Sequence, residues 1–252
     1  MTKLKILTAT CGALVALAAC GGATAGDKGV WKASSYGYGK NLIIGSGELV
    51  TENRSIGSFD RLAIDGPVDV VIRQGSTRSL MITAEDNLIG LVRARSEGGT
   101  LSLDTTGSFR TRIGIRAVLT VPSLDAVAIN ASADVRLEGW NARAIDLVIG
   151  GSGDIELGGE VGDVRALIVG SGDIDLAPTR LSYVDADIEG SGEIRMGSLR
   201  KLDATLNGSG KIEAGDVREL DAVLNGSGEI RYRSAKRILR QERNGSGRIA
   251  RR

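Results

Sequence analysis

Six charged residues occupy one recurring place in the sequence, each directly before an isoleucine and 18 to 20 residues from the next. They are Asp154, Asp173, Glu193, Lys211, Glu229 and Arg248. Neighbouring carboxylates could hold calcium, which prefers carboxylate and carbonyl oxygens. Solenoids that bind calcium, however, carry Gly-Gly-x-Gly-x-Asp about every nine residues, and Lys211 and Arg248 interrupt the acidic series. We therefore expect a solvated, partly charge-paired face, with no metal site and no cofactor.

The same acidic residues leave one enzymatic interpretation open. The chain contains no histidine, and its only cysteines are Cys11 and Cys20, which excludes histidine-based acid–base chemistry and Ser-His or Cys-His catalysis. Paired carboxylates could still serve a polysaccharide lyase or hydrolase. Sugar sites usually include aromatic platforms, yet Phe109, Trp140 and Tyr183 are the only aromatic residues between Arg61 and Ile230. A non-catalytic protein is the favoured prediction.

Basic residues are concentrated at the C-terminus. Residues 231–252 hold nine Lys or Arg and one acid, whereas residues 20–229 hold 21 basic and 30 acidic residues. We call six arginines of this segment the basic tip: Arg237, Arg240, Arg243, Arg248, Arg251 and Arg252. The tip could bind lipopolysaccharide phosphates, peptidoglycan carboxylates or another anionic surface, or act only as a polar cap against end-to-end stacking.

One short phrase, Gly-Ser-Gly followed by a charged residue and Ile, occurs six times between residues 151 and 249. Such a fixed period is typical of stacked repeats. Its first five copies contain Gly151, Ser152, Gly153, Gly170, Ser171, Gly172, Gly190, Ser191, Gly192, Gly208, Ser209, Gly210, Gly226, Ser227 and Gly228. Because glycine adopts positive φ readily, we interpret each phrase as a structural corner. A binding function for each corner is the weaker interpretation.

The segments beside each phrase alternate between apolar and polar residues. Leu202, Ala204 and Leu206 precede the fourth copy, and Ile212 and Ala214 follow it, as in strands with one buried face. No single coil could bury its apolar stripe alone, so the sequence predicts an all-β fold, a parallel β-solenoid (β-helix) of 18–20-residue coils. At about 4.8 Å per coil, six copies make a shaft of about 30 Å.

Equivalent polar side chains of successive coils should also meet along the axis. Asn207, Asn225 and Asn244 precede three consecutive phrases, and stacked amides can form hydrogen-bonded ladders. We expect the serines of the phrases to stack in the same way. Degenerate copies of the phrase at residues 130–135 and 65–70 indicate that the solenoid begins before its glycines become regular.

The N-terminus resembles an export signal. Lys3 and Lys5 precede an apolar run that is short for a membrane span, and Leu17-Ala18-Ala19-Cys20 looks like the lipobox of bacterial lipoproteins. The resemblance implies a signal peptide over residues 1–19 and lipidation of Cys20, with Gly21 favouring the outer membrane. An ordinary secretory signal cut after Ala25 is the alternative. Residues 20–57, rich in glycine, read as a lipid-anchored tether, and residues 58–252 as the β-solenoid domain with its basic C-terminal cap.

The first part of this domain carries a family resemblance. Phe59, Ile64-Asp65-Gly66-Pro67-Val68-Asp69-Val70, Gln74-Gly75, Asn87-Leu88-Ile89 and Gly99-Thr100-Leu101 lead into the Gly-Ser-Gly repeats. This order resembles the auto-transporter adhesin head, or GIN, domain family over residues 58–232. The resemblance implies a right-handed solenoid and supplies no catalytic residues.

Together these features predict an exported cell-envelope lipoprotein that acts as a structural or adhesin-like binding module. Expected partners are the membrane, through the lipid, and an envelope glycan, lipopolysaccharide or a surface protein. Nucleic acid is not expected as a partner of an exported chain.

Overall fold

The computed structural model describes residues 42–252, which form β-strands joined by short corners and one 3₁₀ turn, Ile89–Leu91. The strands in chain order are β1 (Leu42–Ile44), β2 (Leu49–Arg54), β3 (Arg61–Ile64), β4 (Val68–Gln74), β5 (Ser79–Glu85), β6 (Val92–Glu97), β7 (Thr100–Thr105), β8 (Ser108–Arg110), β9 (Ile115–Val121), β10 (Ala126–Ile129), β11 (Val135–Ile149), β12 (Ile155–Gly170), β13 (Asp173–Leu176), β14 (Thr179–Gly190), β15 (Glu193–Met196), β16 (Leu199–Gly208), β17 (Lys211–Gly226), β18 (Glu229–Asn244) and β19 (Arg248–Arg251). Within this range, no helix is both long and apolar enough to cross a membrane.

From β10 onward the chain winds into stacked parallel coils, about seven in all. Equivalent residues of successive coils lie opposite one another, so that Ala166 pairs with Ala186, Ala186 with Ala204, and Ala204 with Ala222. The predicted parallel β-solenoid is confirmed.

The inward side chains of the coils form one continuous core. The isoleucines that follow the first five glycine phrases are buried, as are the leucines and alanines of the preceding strands, whereas Ile249 of the sixth phrase is partly buried. Trp140 is the largest of the fully buried side chains. Because every coil lends its apolar stripe to both neighbours, the stack is stabilised by burial that no single coil could achieve.

The Gly-Ser-Gly corners bring backbones of adjacent coils very close together. A Cβ atom on Gly208 would lie within 3.0 Å of the carbonyl oxygen of Gly190, and one on Gly210 equally near that of Gly192. Gly208 also has a φ of 139°, which L side chains rarely adopt. The corners therefore require glycine for both conformation and space.

Polar ladders run along the outside of these corners. Asn225 donates its Nδ2–H to Oδ1 of Asn207 at 2.7 Å, and Asn244 donates to Oδ1 of Asn225 at 2.9 Å. The hydroxyl oxygens of Ser227 and Ser246 are 3.0 Å apart. The predicted amide ladder is thus confirmed, and these two serines stack as expected.

The solenoid begins before the regular repeats, as the degenerate copies predicted. Ile64 of β3 pairs in parallel with Ile129 of β10, and Val70 of β4 pairs with Val135 of β11. Antiparallel strands cover this end of the stack, with β5 pairing with β2 and β9, and β6 with β7.

The prediction of a tether extending to residue 57 is wrong from residue 42 onward. Strand β1 pairs with β8, and β2 pairs with β5. The buried carboxylate of Glu85 packs against Gly45 and accepts the N–H of Gly47 at 3.1 Å, which fixes the connection between β1 and β2. Residues of β2 are exposed on both faces except for Arg54, so no buried alternation marked them as a strand. The predicted signal peptide, Cys20 and the first part of the tether lie outside the described residues.

Replacing Gly208 by alanine should lower the free energy of unfolding by about 3 kcal/mol, because the new methyl group meets backbone of the previous coil and the backbone angle becomes strained. The control is Gly90→Ala, where an added Cβ meets nothing within 4 Å; this variant should unfold like the wild type. Denaturant titration followed by far-UV circular dichroism measures both, and equal midpoints for the two variants would contradict the steric role of the corner.

Candidate functional site: a charged face of the solenoid

One outward column of charged side chains runs along the coils, and each member directly precedes an inward isoleucine or valine. The register of the parallel strands aligns Asp69, Asp134, Asp154, Asp173, Glu193, Lys211, Glu229 and Arg248. We call this the ladder column. The sequence pattern identified the last six members. It missed Asp69 and Asp134 because their copies of the phrase lack the paired glycines; the hint was their position before Val70 and Val135.

The four aspartates of the ladder column each accept a hydrogen bond from the backbone of the next coil. The amide N–H of Asp134 donates to Oδ1 of Asp69 at 3.1 Å, that of Asp154 to Asp134 at 3.3 Å, and that of Asp173 to Asp154 at 3.0 Å. Glu193 continues the series, donating to Oδ1 of Asp173 at 2.9 Å. Each aspartate carboxylate therefore holds the backbone of the corresponding corner in the next coil. These surface carboxylates thus have a structural role.

Partial burial and mutual repulsion act on these carboxylates. Desolvation is the main cause that raises the pKa of Asp134, and the charges of Asp69 and Asp154 raise it further. The pKa of Asp173 is raised by desolvation and by the charges of Asp154 and Glu193, against the backbone hydrogen bond from Glu193, which lowers it. Four aspartates on consecutive coils, about 4.8 Å apart, thus form the acidic half of the ladder column.

Beyond Asp173 the charges of the face are paired. Lys211 lies 2.8 Å from Glu213 and 3.3 Å from Glu193, and Arg231 lies 2.8 Å from Glu229. These contacts hold the pKa of Glu213 and Glu229 below their usual value, chiefly through hydrogen bonds from Lys211 and Arg231 respectively. The C-terminal half of the face is therefore nearly neutral, as the predicted charge pairing requires.

A groove of about 510 Å³ opens over the acidic half. Its acidic lining is Asp69, Asp134, Asp154, Glu156, Asp173 and Asp175, and Arg116, Arg136 and Arg195 also line it. Arg136 is paired with Glu156 at 2.8 Å. Among residues 42–252, no group of three or more Asp, Glu or Cys side chains is arranged to hold a metal ion. The groove can accept hydroxyl groups or a cation of a larger ligand.

The basic tip is distributed around the last coils. Arg237 pairs with Glu219 at 3.2 Å and Arg240 with Asp221 at 2.7 Å, between β18 and β17 and away from their ladder-column ends. Arg248 pairs with Glu229 in the ladder column, and Arg252 lies 3.9 Å from Glu213. Arg243 and Arg251 donate to the backbone carbonyls of Gly247 and Arg233. The structure does not gather the six arginines into one patch, and four of them are in ion pairs.

The last coil also ends the apolar core. Gln241 and Arg243 lie opposite Ala222 and Leu224, the inward residues of the coil before, and both are exposed. The apolar columns of Ala222 and Leu224 are therefore not continued in this coil.

These features define a class of protein: an extended parallel β-solenoid whose outward side chains repeat from coil to coil. Residues 58–235 match the family model described as "Putative auto-transporter adhesin, head GIN domain", and the chain belongs to this family. The resemblance noted in the sequence is confirmed.

Solved structures share the fold. A putative adhesin from Parabacteroides distasonis has a TM-score of 0.71 and 18% identity, with 83% of this chain and 99% of that chain covered. A putative adhesin from Bacteroides fragilis has a TM-score of 0.69 and 21% identity over 82% of this chain and 98% of that chain. A putative lipid binding protein from P. distasonis has a TM-score of 0.67 and 22% identity, with 83% of this chain and 98% of that chain covered. No curated protein matches the chain.

The raised pKa values of the ladder column predict a pH-dependent stability. Above the ordinary pKa of 3.8, the folded protein holds protons on Asp134 and Asp173 that the unfolded chain has lost. Stability therefore falls as the pH rises from about 4 through the raised pKa values, and the loss persists at neutral pH.

Asparagine keeps a side-chain oxygen that can accept the backbone N–H, but it carries no charge. The double variant Asp134→Asn/Asp173→Asn should therefore be more stable than wild type at pH 7, by less than about 1 kcal/mol because solvent screens the site. The gain should vanish below pH 3.8. Thermal melts between pH 3 and 8 measure this, with the exposed Glu97→Gln as control; a gain that is independent of pH would contradict the electrostatic cause.

Proposed function

We propose that this protein is a non-catalytic binding module of the cell envelope, exported and held by lipid on Cys20 at the outer membrane. The observation that carries the proposal is the form of its charged surfaces: outward columns that repeat on successive coils about 4.8 Å apart, each suited to a ligand that itself repeats. The family's adhesin description supports a surface role.

The expected ligands are anionic or hydroxyl-rich polymers of the envelope, such as glycan, peptidoglycan or lipopolysaccharide, or a surface protein. A polymer that lies along the coils can contact several equivalent side chains at once, and such multivalency raises affinity without any single strong contact. An enclosed pocket is not needed for this mode of binding.

A second candidate function follows from the acidic half of the ladder column. Neighbouring aspartates stand about 4.8 Å apart, close to the separation of about 5 Å in retaining glycosidases, and the pKa of Asp173 is raised as a proton donor requires. A carboxylate-based polysaccharide lyase or hydrolase would use such a pair. Against it, the oxygens of Asp134, Asp154 and Asp173 accept backbone N–H groups of the following coil.

The two functions are distinguished by whether envelope fractions retain the protein and whether the protein releases sugar from them. Full-length protein purified in detergent should be retained by isolated envelope fractions and should release no soluble sugar from them. Released product that disappears in Asp154→Asn and Asp173→Asn, with Glu97→Gln as the matched control, would instead establish the enzyme. Absence of retention by any envelope fraction would contradict the binding module.

The lipid anchor is tested separately. Cys20→Ser should leave the protein uncleaved or in the soluble fraction, because no thiol remains to receive diacylglycerol, and Cys11→Ser should partition as wild type does. Detergent-phase partitioning and metabolic labelling with a fatty acid measure the two variants. Unchanged labelling of Cys20→Ser would contradict the anchor.

A further inference from the structure

A second outward column, at another corner of the coil, carries cations without partners. The register places Arg200, Arg218 and Lys236 at equivalent positions of three consecutive coils, with Ser182 in the coil before them. All three cations are exposed. Within residues 42–252, none of the three is in an ion pair or donates a side-chain hydrogen bond. We call these three residues the basic column.

The basic column differs from the ion-paired cations of the neighbouring columns. Lys211 and Arg248 of the ladder column each contact a carboxylate, and so do the neighbouring Arg231 and, in the basic tip, Arg237 and Arg240. Like charges about 4.8 Å apart repel one another, and a row without counter-charges creates a positive potential that attracts anions.

A depression of about 390 Å³ adjoins the basic column. Arg200 and Arg218 line it together with Ser182 and Tyr183, and the remaining lining residues are Asp163, Lys201 and Glu219. Two of these three charges are neutralised by ion pairs, since Lys201 lies 2.7 Å from Asp203 and Glu219 lies 3.2 Å from Arg237. The positive charge left in the depression belongs to the two arginines, with Asp163 opposing it.

Tyr183 gives the depression an aromatic wall held in a fixed position. Its hydroxyl donates to Oδ2 of Asp203 at 2.9 Å, and the Nζ of Lys201 lies 4.9 Å from the ring centroid. Aromatic rings are common platforms for sugar rings, whose C–H faces are apolar. Guanidinium groups bind carboxylate and phosphate groups with two parallel hydrogen bonds. The two kinds of side chain together suit a sugar that carries a negative group.

We propose that the basic column and Tyr183 form a binding track for a linear anionic glycan lying along the solenoid axis. Negative groups of successive sugars engage Arg200, Arg218 and Lys236, and one sugar ring packs against Tyr183. The inference rests on the proposed binding function and names the surface and the ligand chemistry. It places anion binding on the side of the shaft, where the arginines are unpaired, and not at the basic tip.

The test uses full-length protein in detergent with two polymers, polygalacturonate for carboxylate groups and lipopolysaccharide for phosphate groups; neutral dextran serves as the uncharged polymer. Arg200→Gln/Arg218→Gln should weaken binding to the preferred anionic polymer about tenfold, since two charge-assisted contacts are lost. The matched control, Arg240→Gln/Arg248→Gln, removes the same charge from the basic tip and should change binding less than about twofold. Whichever polymer shows the loss identifies the source of the negative group.

The contribution of the Tyr183 ring to binding is tested separately. Tyr183→Phe keeps the ring and should bind as wild type does, whereas Tyr183→Ala should weaken binding about fivefold with little change in its salt dependence. Equal affinities of the two variants would overturn the role of the ring.

Three results would overturn the track: equal binding by the two double-arginine variants, binding of dextran as tight as that of the anionic polymers, or tighter binding of single-stranded DNA than of either polymer. Retention by envelope fractions distinguishes failure of the track from failure of the proposed binding function. If envelope fractions retain wild type and Arg200→Gln/Arg218→Gln equally, the binding module stands and the track is wrong. If they retain neither, the binding module itself is wrong.

Discussion

The contact of glycine with glycine between successive coils is the constraint on which the rest of the structure depends. At each corner the carbonyl oxygen of one glycine lies where the next coil's Cβ would be, as Gly190 and Gly208 show. The same carbonyls accept amide N–H groups from the next coil, for example Gly190 from Ser209 at 2.9 Å. Backbones held this closely keep the coils in register, and the register stacks equivalent side chains into columns.

The columns in turn determine what the surface can do. Inward columns of Ile, Leu and Ala form the core, while outward columns place polar or charged side chains of successive coils next to one another. Where acids and bases alternate, as in the pairs Glu193–Lys211 and Glu229–Arg248, the charges neutralise one another. Where one sign persists, as in the four aspartates or in Arg200 and Arg218, the surface keeps a net potential available to a repeating ligand.

Much of the fold could be predicted because the repeat makes one coil's pattern visible many times. The coil, its corners and the Asn207–Asn225–Asn244 ladder all follow from side chains that recur at one spacing. Strand β2 could not be predicted: it pairs through its backbone and leaves both faces exposed, so its residues show no buried alternation. The basic column was missed for a related reason, since Arg200, Arg218 and Lys236 stand outside the conspicuous phrase. Ion pairing of the basic tip depends on neighbours in the previous coil, which linear sequence does not display.

Native-state hydrogen exchange at the corners tests the central claim most directly. The amide N–H groups of Ser191, Ser209 and Ser227 donate to glycine carbonyls of the previous coil at 2.9 to 3.0 Å, although their residues are exposed. If corner stacking holds the solenoid together, these amides should exchange as slowly as those of buried Ile194 and Ile212, through global unfolding. Exchange near the rate of an unstructured chain would show that the corners are open loops and that burial alone maintains the register.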